Sequence, residues 1–345
     1  MAENEIKDQK RKSNLWIVVA VLFGLFAIGG VVLLLLVGAV VGAVAGAVPE
    51  SAPSFYKKTL EGSGSSEILV LPIKGVITEE SGLTMRGGMN INHIKARLKK
   101  AGKDPKVKGI VLWVNSPGGA ITATDKIYQH MVEFKNEFKK PMVAYLDSVA
   151  ASGGYYLAAG CDEIVSHPTC ITGSIGVIMT LLNIQELFEK KLGIRELVIK
   201  SGPHKDIGSM YRPMSDEEKK ILEDMIQEMY RRFLEVVKKG RPKLATLKDS
   251  DWLKIADGKI YTGVQAHALG LVDHIGSFEK SVERVCEMAN VDKQNYRVVQ
   301  YEESKSLLQE LLQSSTKTGS PEEKIMEHFL GRLGMPHFYY LWRTP

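Results

Sequence analysis

The sequence predicts an α/β fold, a parallel sheet with flanking helices, preceded by one N-terminal transmembrane helix; three observations carry that expectation. Short apolar runs alternate with helix-patterned segments between Glu67 and Ser166, the signature of strands joined by crossover helices. A long amphipathic segment, Ser215 to Gly240, follows with its own start and stop signals. Near the N-terminus, Leu15 to Val48 runs for 34 residues without a charge.

The uncharged run comes first in the chain. Lys7, Lys10, Arg11 and Lys12 precede it, and few charges follow over Pro49 to Ser66. At about 1.5 Å per residue, a helix of this length exceeds a hydrocarbon core of roughly 30 Å and leaves room for tilt. The basic flank belongs on the cytoplasmic side. Residues 1–14 are therefore expected in the cytoplasm, 15–48 as a single-pass anchor in the cytoplasmic membrane, and the remainder outside it. A cleaved signal peptide is the rival, but its apolar region spans only about 7–15 residues, so the anchor is preferred. Gly38, Gly42 and Gly46 form a ladder of small residues that would let two such helices approach closely.

Residues 49–66 are rich in Ser, Gly and Pro and read as a tether. A folded domain is expected over 67–295. Strands are expected at Glu67 to Ile73, Val107 to Val114, Pro141 to Leu146 and Asp162 to Ser166, and helices at Ala120 to Lys139 and Ser152 to Ala159. In the helix from Ser215, Ser215 and Glu218 match a capping box, and Gly240 and Pro242 close it. Its apolar face, Ile221 to Val237, suits either its own domain or a neighbouring subunit. The tail, 296–345, contains a polar stretch from Glu302 to Glu323 that reads as loosely ordered. It ends in an aromatic segment, His337 to Trp342, whose partner (domain, membrane surface or another protein) the pattern leaves open.

Composition removes several functions. The 45 basic and 40 acidic residues leave a net charge of only +5, with no Lys/Arg block, so nucleic acid is not expected as a partner. Three cysteines, Cys161, Cys170 and Cys286, make no disulfide framework and no zinc spacing, and read as free buried thiols. Neither a dinucleotide fingerprint nor a P-loop is present, and no cofactor or metal is expected.

Three segments carry candidate chemistry. Asn115-Ser116-Pro117-Gly118-Gly119 follows an apolar strand and precedes a helix, where paired glycines let backbone amides face a ligand. Alone, it is also a plain turn. In Ala150-Ala151-Ser152-Gly153-Gly154, small residues surround one hydroxyl at a helix start, where the dipole favours an oxyanion and the Gly153 amide can donate to it. Alone, Ser152 is also an ordinary N-cap. Lys205 lies in Ser201-Gly202-Pro203-His204-Lys205-Asp206. It would serve as a base only if desolvated, and taken alone it reads as a surface lysine. His204 beside it is the other candidate base, although GxSxG is absent.

Taken with Thr172-Gly173-Ser174-Ile175-Gly176-Val177, with Ala256-Asp257-Gly258-Lys259-Ile260-Tyr261-Thr262-Gly263 and with Ala268-Leu269-Gly270-Leu271-Val272-Asp273, these segments stand in one order over Glu67 to Val291. In that order they resemble the signal peptide peptidase A family, short single-repeat serine–lysine peptidases related to the ClpP and crotonase folds. The resemblance implies a ClpP/crotonase-like layered fold, with the domain at 67–295 as a peptidase. It implies Ser152 as nucleophile, Lys205 as general base, Ser174 as the residue orienting Lys205, and the amides of Gly119 and Gly153 as the oxyanion hole. It further implies peptide substrates (remnant signal peptides and unfolded segments) and a homo-oligomer, an octamer whose serine and lysine come from adjacent protomers. The alternatives are a membrane-bound ClpP-class protease acting on another membrane protein, and a crotonase-like acyl-CoA enzyme.

Overall fold

The structure is a computed structural model that describes residues 29–30, 54–78, 91–303 and 338–341. The chain divides into two units, Met1–Ala52 and Pro53–Pro345. Of the expected anchor only Gly29 and Gly30, both helical, are among the described residues; the rest, with the Gly38 ladder, lies outside them. Among the described residues no helix is long and apolar enough to cross a membrane.

The second unit is built on one large sheet. Its strands are β1 (Phe55–Gly62), β2 (Ser66–Lys74), β3 (Val107–Ser116), β5 (Met142–Ala151), β6 (Glu163–Ser166), β7 (Ile171–Gly173), β9 (Ile260–Thr262), β10 (His274–Ile275) and β11 (Tyr296–Glu303). Their order is β1-β11-β2-β3-β5-β6-β10, with β7 beside β5 and β9 beside β7. All neighbours are parallel except β1 on β11 and β9 on β7. A small second sheet joins β4 (Gly118–Ala120), β12 (Phe338–Leu341) and β8 (Ile178–Met179), in the order β4-β12-β8.

Alternation along the central strands makes two cores. Leu69, Leu71, Ile110, Leu112, Val114, Met142 and Ala144 face one side. There they meet α1 (Ile91–Lys103), α2 (Ile121–Phe138), α3 (Gly153–Ala159) and α4 (Asp216–Gly240). Ile68, Val70, Val111 and Val143 face the other, against Val282, Val285 and Cys286 of α8 (Phe278–Met288). The remaining α-helices of this unit among the described residues are α5 (Pro242–Ala245), α6 (Asp249–Ile255) and α7 (Gly263–Ala268), and a π-helical segment spans Leu187–Leu192. The parallel sheet between helical layers agrees with the sequence expectation.

Two segments depart from it. Residues 55–62, inside the expected tether, form β1, and residues 296–303, inside the expected tail, form β11 between β1 and β2. The polar sequence of β1 hides the pairing because it is an edge strand with mostly exposed side chains. The fully buried Glu67 fastens this edge: it accepts from Arg297 Nε at 3.2 Å and pairs with Lys57, which also meets Asp104 at 2.6 Å.

The long helix α4 begins with the expected capping box. Phe233 and Val237 pack under α3, with the Phe233 and Tyr156 rings 5.1 Å apart. Ile221 and Met225, near its start, remain exposed. Its own domain therefore claims only the C-terminal half of the apolar face.

Candidate active site

The glycine turn at 115–119, the Ser152 segment and the segment Thr172 to Val177 meet at the carboxyl ends of β3, β5 and β7. The first is shaped by Ser116, whose hydroxyl donates to Gly75 O at 2.6 Å and accepts from Gly118 N at 3.1 Å. Ile77 N then donates to Gly118 O at 2.9 Å, and Ala120 N to Ile77 O at 2.7 Å. This embrace requires glycine: a Cβ on Gly119 would lie 1.9 Å from Ile77 O.

Strand β5 splits its pairing, bonding β6 through residues 143–146 and β7 through residues 149–151. Ala151 and Gly173 are partners across parallel strands, so the next residues, Ser152 and Ser174, stand side by side. Ser152 N donates to Gly173 O at 2.8 Å, and Ser174 N to Lys259 O at 2.8 Å. Both serines have positive φ, 53° and 52°, which only two other non-glycine described residues share. Such backbone costs about 1–3 kcal/mol per residue and persists only where the surroundings impose it. Ser152 is 1% exposed. It occupies the cap position of α3, but its hydroxyl makes no capping hydrogen bond. That removes the ordinary capping role and leaves a strained strand-to-helix elbow despite the missing GxSxG.

Gly153 and Gly119, from separate turns, are adjacent. A Cβ on Gly153 would lie 3.3 Å from Gly119 N and 2.9 Å from Thr124 Oγ1. The structure thus gathers Ser152, Ser174, Gly119 and Gly153 at one place. Lys205 is not joined to them: it is exposed, on a turn closed by Lys205 N to Gly202 O (3.2 Å) and Ile207 N to His204 O (3.1 Å). Among the described residues no hydrogen bond links Lys205 to Ser152 or Ser174. His204 is 3.6 Å from Glu217. Burial pushes the Cys161 and Cys170 thiols up to about 12, so neither is a ready nucleophile, and all three cysteines are free and buried.

Strand β12 completes the picture. It runs antiparallel to β4, with Tyr340 opposite Gly119 and Leu341 opposite Gly118, and antiparallel to β8, with Phe338 opposite Met179. The aromatic end of the chain, left open by sequence, lies across the glycine turn. Sequence reasoning also missed Ser116, Ile77 and Thr124 as the residues that shape the turn. Ser116 was within reach, lying inside the quoted motif; Ile77 and Thr124 carry no local signal.

The chain matches the family model "Peptidase family S49" over residues 134–292 and "Clp protease" over residues 87–170. A putative protease of Methanocaldococcus jannaschii is 44% identical over 59% of this chain and 64% of its own length. A putative signal peptide peptidase SppA of Enterococcus faecium is 41% identical over 65% of this chain and 64% of its own length. The match thus spans just under two thirds of those two relatives. A putative protease of Synechocystis is 37% identical over 63% of this chain and 76% of its own length. On these matches, and on a ClpP-like α/β fold carrying the motifs in order, the chain belongs to peptidase family S49, the signal peptide peptidase A family.

Proposed function

We propose that this chain is a serine endopeptidase using Ser152 and Lys205, and that it degrades remnant signal peptides and other unfolded segments at the membrane. Residues 15–48 anchor it in the cytoplasmic membrane, with the catalytic domain on the outer side. The observation that carries this reading is the extended strand Phe338–Leu341 laid between β4 and β8, opposite Gly119. Strand addition of this kind presents backbone to a fixed site, and a substrate peptide would take the same place.

Ser152 Oγ attacks the scissile carbonyl while neutral Lys205 Nζ takes its proton. The amides of Gly119 and Gly153 hold the oxyanion, worth about 3 kcal/mol per donor. The lysine returns the proton to the leaving amine, and water then releases the acyl group from Ser152. Ser174, beside Ser152, orients the lysine.

Lys205 is exposed in the single chain, whereas a lysine base must be desolvated. Leu182, Leu187, Leu192, Ile194, Leu197 and Ile199 are exposed as well, the last two at 88% and 93%. Apolar surface of this extent calls for cover. A second copy of the chain would supply it and bring its Lys205 to the neighbour's Ser152; a closed ring, an octamer by family resemblance, repeats that contact.

The test is co-expression of Ser152→Ala and Lys205→Ala chains carrying different tags, with peptide hydrolysis measured on the doubly purified mixture. Each variant alone is expected to be inactive and the mixture active. An active Lys205→Ala chain would place the base elsewhere; an inactive mixture of confirmed hetero-oligomers would place both residues in one protomer.

A further inference from the structure

The turn that carries Lys205 is tied down by two side chains that the motifs do not include, Lys200 and Arg212. Asp206 accepts from Lys200 Nζ at 2.6 Å and from Arg212 Nε and Nη2 at 2.9 Å each. Arg212 Nη2 also donates to Asp206 O at 3.2 Å, and Nη1 donates to Pro213 O at 3.0 Å. The same guanidinium reaches the first turn of α4, donating to Glu218 Oε2 at 2.8 Å. Glu218 is buried and is itself fixed by the capping box, accepting from Ser215 N at 3.0 Å. Arg212 therefore bridges the residue next to Lys205 and the rigid start of a 25-residue helix, using the fork that a lysine lacks.

Resting on the proposed role of Lys205 as base, we propose that Arg212 is a positioning residue that holds the Lys205 turn in place and keeps Asp206 from pairing with the Lys205 ammonium. The charged groups around this turn are Lys200, His204 and Asp206 on its own segment, Glu196 through Ser209, Arg212, and Glu217 and Glu218 from α4. Asp206 is the carboxylate adjacent to Lys205 in the chain. Engaged by Arg212 and Lys200, it is spoken for, and its carboxyl is held far below the usual carboxylate range by those two cations. Released, it would stabilise the lysine ammonium and raise the pH at which the base becomes neutral.

The experiment is the pH dependence of kcat and KM for full-length wild type, Lys205→Ala, Arg212→Gln, Arg212→Lys and the double variant Arg212→Gln/Asp206→Asn, with thermal unfolding of each. Lys205→Ala should be inactive. Arg212→Gln should lose kcat with little change in KM, and its rising limb should move up by about one pH unit. Arg212→Lys should fall between, and removing the Asp206 charge should bring the limb back down. A folded Arg212→Gln chain with the wild-type limb overturns the proposal while leaving the dyad intact, as does a raised limb that persists in the double variant. An active Lys205→Ala chain overturns the dyad and this proposal with it. If Arg212→Gln does not fold, Arg212→Lys decides: wild-type kcat and limb in that variant overturn the proposal.

Discussion

Replacing Gly119 with alanine tests the proposed oxyanion turn directly. The added Cβ would sit 1.9 Å from Ile77 O and 2.6 Å from Ile77 N and C, all backbone atoms. No side-chain rotation relieves such a contact, so Ile77 or β4 must shift by roughly 1 Å, to reach the spacing real carbons tolerate. Two hydrogen bonds depend on that contact, Ile77 N to Gly118 O and Ala120 N to Ile77 O. Their weakening costs about 1 kcal/mol each. The larger effect is on chemistry: a misplaced Gly119 amide removes one oxyanion donor, lowering kcat by about 100- to 1,000-fold. The assay is kcat and KM on a fluorogenic peptide, with thermal unfolding to confirm the fold. A folded Gly119→Ala chain that keeps kcat within tenfold of wild type would refute the assignment of that amide.

Three further outcomes follow from the same geometry. Deleting residues 338–345 should raise kcat/KM for short peptides, and a peptide of the tail sequence added back should compete; unchanged kinetics would mean that β12 does not occupy the strand position between β4 and β8 in solution. Ser152→Gly should abolish hydrolysis yet raise the melting temperature, because glycine adopts the φ of 53° without the roughly 1 kcal/mol or more that serine bears there; a lower melting temperature would argue against strain at this residue. Glu218→Gln keeps the capping box but loses the ion pair with Arg212. The Arg212 hydrogen bonds and the Ser215 amide lower the Glu218 pKa from 4.5 to about 2, so its stabilisation is complete above 4.5 and lost as pH falls through about 2. The variant should melt lower than wild type near pH 7, with the gap closing between pH 4.5 and 2; a gap independent of pH would show that the charge is not what stabilises.

Strands β2, β3, β5 and β6, the helices α2, α3 and α4, and the motif residues themselves were legible because each depends on local pattern. A buried parallel strand reads as an apolar run, and a helix start needs only Ser215 and Glu218 three residues apart. Strand β1 was not legible, since an edge strand with exposed polar residues resembles a tether until β11, more than two hundred residues later, pairs with it. Nor was the strain at Ser152: its φ is imposed by Gly173, to which it donates, and by the turn of α3 that follows.

By itself the sequence determined the layered α/β class, the capped helix and the candidate site residues, because periodicity and short motifs are properties of neighbouring residues. Only the tertiary structure decided that Gly119 and Gly153 lie together beside Ser152 and Ser174, that Lys205 stands exposed and apart, that Arg212 ties its turn to α4, and that the tail lies across the glycine turn. Those relations join residues far apart in the chain, and only the packing of strands and turns against one another sets the distances between them.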